Sequence, residues 1–170
     1  DFPVIDYYKR LGFDFEKEPF EIVGTEFIRE YDKRDKDGLL HAGTVEMLED
    51  IKISGVGQSV LSAREEIQLH AELKKLCVYY YFNEIMGLND HYAGGKTELG
   101  KQLISKLNIP GKEIVMIGDT LHDADVAKEC GIDCILIAHG HHPKQKLETC
   151  GVEVLDTFRD LKKNIFNEKD

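Results

Sequence analysis

A chain of 170 residues, 42% hydrophobic and 32% charged, can bury one core of ordinary size and has the composition of a folded domain, not of a disordered tract. Thirty-two acidic against 22 basic residues leave a formal charge of -10, which repels nucleic acid and anionic membrane surfaces. The longest apolar run, Leu76 to Phe82, falls far short of the roughly 20 residues that a bilayer-crossing helix needs, so neither nucleic acid nor a membrane is expected as a partner.

In chain order, Phe20, Val23, Phe27 and Tyr31 recur at spacings of three and four, which places them on one face of a helix. Asp32 to Gly38, DKRDKDG, is a charged, turn-rich break, a boundary between a small helical lobe and a main domain. Beyond it the hydrophobic period switches repeatedly. A short helix carries Val45, Leu48 and Ile51; a strand runs over Val56 to Leu61; a helix follows from Arg64 to Leu76. The tyrosine run Tyr79 to Tyr81 reads as half-buried core, opening a strand over Tyr80 to Ile85, and lacks the basic groove of a base-stacking platform. A helix through Leu99, Leu103 and Leu107 leads past Pro110 and Gly111 to the buried strand Ile114 to Ile117. Next come a helix from about Asp123 to Cys130, which Gly131 should close in the left-handed conformation, and the apolar strand Cys134 to Ala138. A strand over Val152 to Leu155 and a helix with Phe158, Leu161 and Ile165 complete the pattern. Strands alternating with helices imply crossover connections, hence an α/β fold with a parallel sheet covered on both faces. Such sheets collect ligands at the carboxyl ends of their strands.

Three strand ends carry chemistry. Ile114 to Ile117 runs into Gly118-Asp-Thr-Leu-His-Asp123, which brings Asp119 and Asp123 to one turn. Mg²⁺ prefers oxygen ligands and commonly takes only one or two carboxylates, leaving room for water and phosphate. The alternative makes Asp123 a helix N-cap and Asp119 a turn residue. Ser62, just past the Val56 to Leu61 strand, offers a hydroxyl to a phosphate, or it caps the next helix in a box with Glu65. Lys96 follows Gly94 and Gly95 before a helix and can neutralise phosphate, or it is a solvated surface charge; GGKT lacks the spacing of a nucleotide-binding P-loop.

Ser62 after a strand, Lys96 before a helix and Gly118-Asp119-x-x-x-Asp123 after a strand, in that order, resemble the second, third and fourth motifs of the haloacid dehalogenase superfamily. Leu40-His-Ala-Gly43 and Ala127-Lys-Glu-Cys-Gly131 extend the resemblance over roughly Gly38 to Ile165, and it is of the phosphoglycolate-phosphatase-like kind. The resemblance implies a Rossmann-like sheet and a Mg²⁺-dependent phosphatase acting on a small phosphorylated metabolite through an aspartyl-phosphate. It implies that Ser62 and Ala63 bind the phosphoryl group, that Lys96 bridges nucleophile and phosphate, and that Asp119 and Asp123 hold Mg²⁺. Residues 1–34 would be the last part of a helical cap and 35–170 the core. Thr97, where a proline is common, and Thr120, where a serine is common, depart from the pattern without removing a functional group.

The superfamily's first motif, an apolar strand ending in DxDGT, supplies the nucleophile and is not recognisable here. Asp35-Lys-Asp37-Gly38 matches DxDG, but it follows Glu30-Tyr-Asp-Lys-Arg34, which is no buried strand, and it reads as a turn. If it is not a turn, the chain is a capless enzyme with Asp35 as nucleophile. In the superfamily that strand lies between those ending at Ser62 and Ile117. Its loss orphans several backbone groups at about 1 to 3 kcal/mol each, so an upstream segment, a swapped strand or direct pairing of the two neighbours is expected to fill the place. A catalytically inactive relative that binds or regulates is the alternative function; a response-regulator-like receiver fits the residue order poorly. His139, His141 and His142 follow a strand toward the same edge and are expected to touch substrate before metal. Cys77, Cys130, Cys134 and Cys150 form no CxxC pair and lie in core or helical segments, so reduced thiols and a cytoplasmic location are expected. The oligomeric state is open, a homodimer included.

Overall fold

The computed structural model describes residues 8–17, 19, 22–23, 39–88, 95–140 and 142–166. The chain divides into two compact units, Asp1–Leu39 and Leu40–Asp170. In the first, Tyr8 and Val23 are buried, and the Tyr8 and Phe13 rings meet edge to face at 5.0 Å beside the left-handed turn at Gly12. Phe20, Phe27 and Tyr31, the charged break at 32–38 and the DxDG sequence at Asp35 lie outside the described residues.

The second unit is α/β. Its elements are α1 (Thr44–Ile53), β1 (Ser59–Glu65), α2 (Glu66–Lys75), β2 (Glu84–Leu88), α3 (Gly95–Leu107), β3 (Val115–Gly118), α4 (Leu121–Cys130), β4 (Asp133–Ile137), the single turn α5 (Lys144–Leu147), β5 (Glu153–Leu155) and α6 (Phe158–Phe166). Every strand pairing is parallel, because each strand is followed by a helical crossover. On β4 alternate residues face opposite ways. Ile135 and Ile137 pack with Met47 of α1 and Leu161 of α6, while Leu136 packs with Ala124 of α4 and Leu147 of α5. Both faces of this strand are therefore buried under helices, which is why it reads as an unbroken apolar run. No helix among the described residues is long and apolar enough to cross a membrane.

The parallel strands form two sheets: β1-β2 and β3-β4-β5. No ladder joins β1 to β3 among the described residues, so direct pairing of these neighbours, one of the expected substitutes for a central strand, does not occur. The two sheets are nevertheless linked through their helices. α3 packs on β1 and β2 and also against α4, which covers β3 and β4. One residue shows the convergence: a Cβ on Gly100 of α3 would lie 3.3 Å from Leu61 Cδ2 on β1 and 3.3 Å from Val126 Cγ1 on α4.

Element ends differ from the sequence reading in instructive ways. Tyr79–Tyr81 is a 3₁₀ turn, not the start of a strand, and Tyr80 is exposed. α2 ends just before it in a left-handed closure at Cys77, whose N–H reaches Lys74 O while the Val78 N–H reaches Leu73 O, and the chain enters the sheet only at Glu84. β1 continues past its apolar part as far as Glu65, through an irregularity between Leu61 and Glu65. Gly131 closes α4 with φ 68°, as its position suggested.

Candidate functional site

The centre of the site is the turn from β3 into α4. The first amides of a helix have no partner within it, and here side chains supply them. Thr120 is the N-cap: its Oγ1 accepts from the Asp123 N–H at 3.2 Å, and Asp123 Oδ2 accepts from the Thr120 N–H at 3.0 Å, closing a capping box. Oδ2 also accepts from the Asp119 N–H at 3.1 Å and the Thr120 hydroxyl at 2.7 Å. Asp123 is thus the third helical residue and not the N-cap that the local reading offered as an alternative. Gly118 makes this possible, because a Cβ there would stand 2.7 Å from the Asp123 carboxylate.

Lys96, in the first turn of α3, completes the arrangement. Its Nζ lies 2.5 Å from Asp123 Oδ1, and both side chains are largely buried, 18% and 5% exposed. A lysine that sequence alone could assign to the surface is here half of a buried ion pair. Burial works against the charged form of Asp123. The Lys96 ammonium, with hydrogen bonds from Lys96, Thr120 and the Asp119 amide, outweighs it and holds the carboxyl below the usual aspartate range.

Ser62 and Ala63 stand at the first positions beyond the regular β1 ladder, whose last regular partner is Leu61 opposite Met86. The box with Glu65 does not form: α2 has no side-chain cap, and Ser62 Oγ instead accepts from the Arg64 N–H at 3.1 Å. Gly87 allows the chain to turn here, since a Cβ would come within 2.6 Å of Arg64 O and 2.7 Å of Glu66 Cα. The structure therefore brings Lys96, Asp119 and Asp123 into one hydrogen-bonded group. Because β1 is parallel to β2, whose carboxyl end leads toward Lys96, Ser62 and Ala63 come to the same edge, without a direct bond to that group.

Of the histidines after β4, His139 stacks edge to face on His41 at 5.0 Å and lines a cavity of about 640 Å³ with Met47, Phe158 and Arg159. His142 turns to the protein: its Nδ1 accepts from the Leu121 N–H at 3.3 Å, at the first residue of α4. His141 lies outside the described residues.

Residues 1–137 match the family model of haloacid dehalogenase-like hydrolases. The chain belongs to this family. It is 30% identical over 127 residues to "Probable phosphatase IndB" of Dickeya dadantii, an alignment covering 73% of this chain and 55% of that protein. It is 27% identical over 103 residues to the tyrosine-protein kinase PtkA of Mycobacterium tuberculosis, of which it spans 35%. The chain thus spans about half or less of the length of these relatives. Its fold is shared with a "predicted phosphatase" from Clostridium acetobutylicum, with a TM-score of 0.82 and 21% identity over 96% of this chain and 76% of that one. It is shared also with the solved PtkA structure, at a TM-score of 0.77 and 22% identity over 95% and 76% of the two chains. The architecture expected from the sequence, parallel strands with helices on both faces, is that of the family.

Two features of the site lay beyond the sequence reading. Thr120 was visible only as a substitution, and its capping role depends on a dihedral that no residue pattern states. His142 as a helix-end acceptor was equally hidden, although a glycine two residues earlier, Gly140, marks a place where backbone comes close to something.

Proposed function

We propose that this chain forms the phosphate- and metal-holding part of a Mg²⁺-dependent phosphatase that hydrolyses small phosphomonoesters through an aspartyl-phosphate. One observation carries the reading: Lys96 and Asp119 are hydrogen-bonded to the buried carboxylate of Asp123, at the edge where Ser62 also emerges. A phosphomonoester brings about two negative charges to such a site, and a lysine, a hydroxyl, backbone amides and a cation are what offset them as the phosphorus centre is attacked.

Phosphatases of this family generally use a divalent metal, and the donors here suit a hard cation. Asp119 and Asp123 would hold it. Asp123 Oδ2 is taken by three donors, but Oδ1 has a second lone pair beyond the one Lys96 engages. Two carboxylates are the number Mg²⁺ commonly takes while keeping positions for water and phosphate. When bound, the ion would polarise a phosphoryl oxygen and neutralise charge in the transition state. The chain's own residues do the rest. Ser62 donates its hydroxyl and Ala63 its N–H to phosphoryl oxygens, and Lys96 places its ammonium between phosphate and nucleophile. The nucleophilic aspartate attacks phosphorus, the alcohol leaves, and water then releases inorganic phosphate from the aspartyl-phosphate.

That aspartate belongs, in this reading, to a parallel strand lying between β1 and β3. Support comes from the lack of a ladder between β1 and β3 among the described residues and from the α3–α4 contact that links their two sheets. Val115 and Ile117 of β3 are 43% and 37% exposed, apolar surface of the kind an added strand and its coverings would bury.

The test is hydrolysis of p-nitrophenyl phosphate by the protein containing this chain, with Mg²⁺ and with excess chelator, beside an Asp119→Ala variant. Turnover that requires Mg²⁺ and falls at least about 100-fold in the variant is expected. Turnover that is indifferent to both would refute the metal site, and no turnover with intact metal binding would favour an inactive, ligand-binding relative.

A further inference from the structure

We infer that Gly140 and His142, from the loop after β4, are positioning residues that fix Asp119 and the first turn of α4 for metal binding; this rests on the Mg²⁺ reading of the site. Neither belongs to the residues that would touch metal or phosphate. Their case is steric for Gly140 and a hydrogen bond for His142.

β4 lies beside β3 in register, with Gly118 opposite Leu136, so the chain leaving β4 emerges next to Asp119. Its start is held by the Ala138 N–H, which donates to Leu155 O of β5 at 2.8 Å. Gly140 then passes so close to Asp119 that a Cβ on it would fall inside the carboxylate, 2.5 Å from both Cβ and Cγ of Asp119. On the other side, Gly118 is backed onto Asp123 just as closely. The two acidic side chains thus sit between two glycine backbones, one from the family motif and one from the neighbouring strand's loop. Backbone cannot rotate away as a side chain can, so the Gly140 wall restricts the rotamers open to Asp119.

His142 acts on the same turn from its helix end. The Asp119 and Thr120 amides are held by Asp123 Oδ2, and the Asp123 amide by Thr120 Oγ1. The Leu121 amide lies between them in sequence and donates to His142 Nδ1 at 3.3 Å, while Nε2 of the same ring is 3.1 Å from Lys146 Nζ on α5. The turn carrying both acidic residues is therefore secured by an acceptor from outside itself. Groups that orient a metal-binding side chain without touching the metal typically change affinity by about 10- to 100-fold when removed.

Binding of Mn²⁺ alone, followed by the electron paramagnetic resonance of the free ion and competed with Mg²⁺, tests this on the protein containing the chain. The wild type should bind one Mn²⁺ that Asp119→Ala abolishes. Gly140→Ala should weaken binding by about 10-fold or more. His142→Phe, which keeps the ring volume but not the acceptor, should weaken it likewise. His142→Asn, whose Oδ1 can take the place of Nδ1, should stay within about 3-fold of wild type, a split that a merely space-filling role would not produce. If Gly140→Ala does not fold, the Phe and Asn variants decide. Wild-type affinity in His142→Phe, with Asp119→Ala still inactive in binding, would overturn the positioning role and leave the metal reading intact. Absence of Mn²⁺ binding in the wild type would overturn the metal reading itself, and this inference with it.

Discussion

Asp123 has 3% of its surface exposed, a place where a charge survives only if it is paired and hydrogen-bonded. Its carboxyl is held below the ordinary range, so its ion pair contributes stability that is fully present above about pH 4, the unfolded value, and is lost as pH falls through the folded one. Lys96→Met leaves that carboxylate buried without its partner. In chelator-containing buffer at pH 7 the variant should be about 3 kcal/mol less stable to urea than wild type, and the gap should narrow as pH falls below about 4 toward the lower folded value at which Asp123 is protonated in the wild type too. A gap that is constant from pH 7 to pH 3 would mean that the pair is not what Lys96 contributes. The residue types and their order were readable from sequence, because Ser62, Lys96 and the two aspartates follow strand ends that the apolar periodicity locates. How Asp123 is bonded was not. Four donors converge on it from Lys96, Asp119 and Thr120, and only the fold brings the first of these within reach.

Among the elements, β4 was legible because a strand buried on both faces is a short unbroken apolar run, and β3 because its run is equally short and apolar although Val115 and Ile117 are partly exposed, whereas β1 was cut short at Leu61. The sequence SARE looks like the start of a helix. Backbone pairing, not hydrophobicity, extends the strand: Glu65 meets Leu88, and the Gly87 N–H donates to Glu66 Oε2 at 3.2 Å. That turn sets where Ser62 and Ala63 emerge, and it depends on the missing side chain at Gly87. Gly87→Ala would press a methyl group against the backbone of Arg64 and Glu66, which no rotamer change can relieve. A loss of about 1 to 3 kcal/mol is expected, seen as a melting temperature lower by about 2 to 4 °C per kcal/mol. An unchanged melting temperature would show that β1 does not turn so closely over β2.

At the scale of the whole molecule, the described strands form two sheets that the α3–α4 contact links, and the candidate site draws on strand ends of both. Alternation of strands and helices announced the parallel architecture; which strands would pair could not be read from it, since hydrogen-bonding partners of a parallel sheet are far apart in sequence. In the proposed function, Ser62 from one part and Lys96, Asp119 and Asp123 from the other elements share a single phosphoryl pocket. Amide nuclear magnetic resonance spectra of the protein containing this chain, titrated with inorganic phosphate in the presence of Mg²⁺, test it most directly. Ser62, Ala63, Lys96 and Asp119 should shift together along one saturation curve, and chelation of Mg²⁺ should weaken the response at all four. Shifts at Asp119 with none at Ser62 and Ala63, or a response confined to a different edge of the sheets, would contradict it.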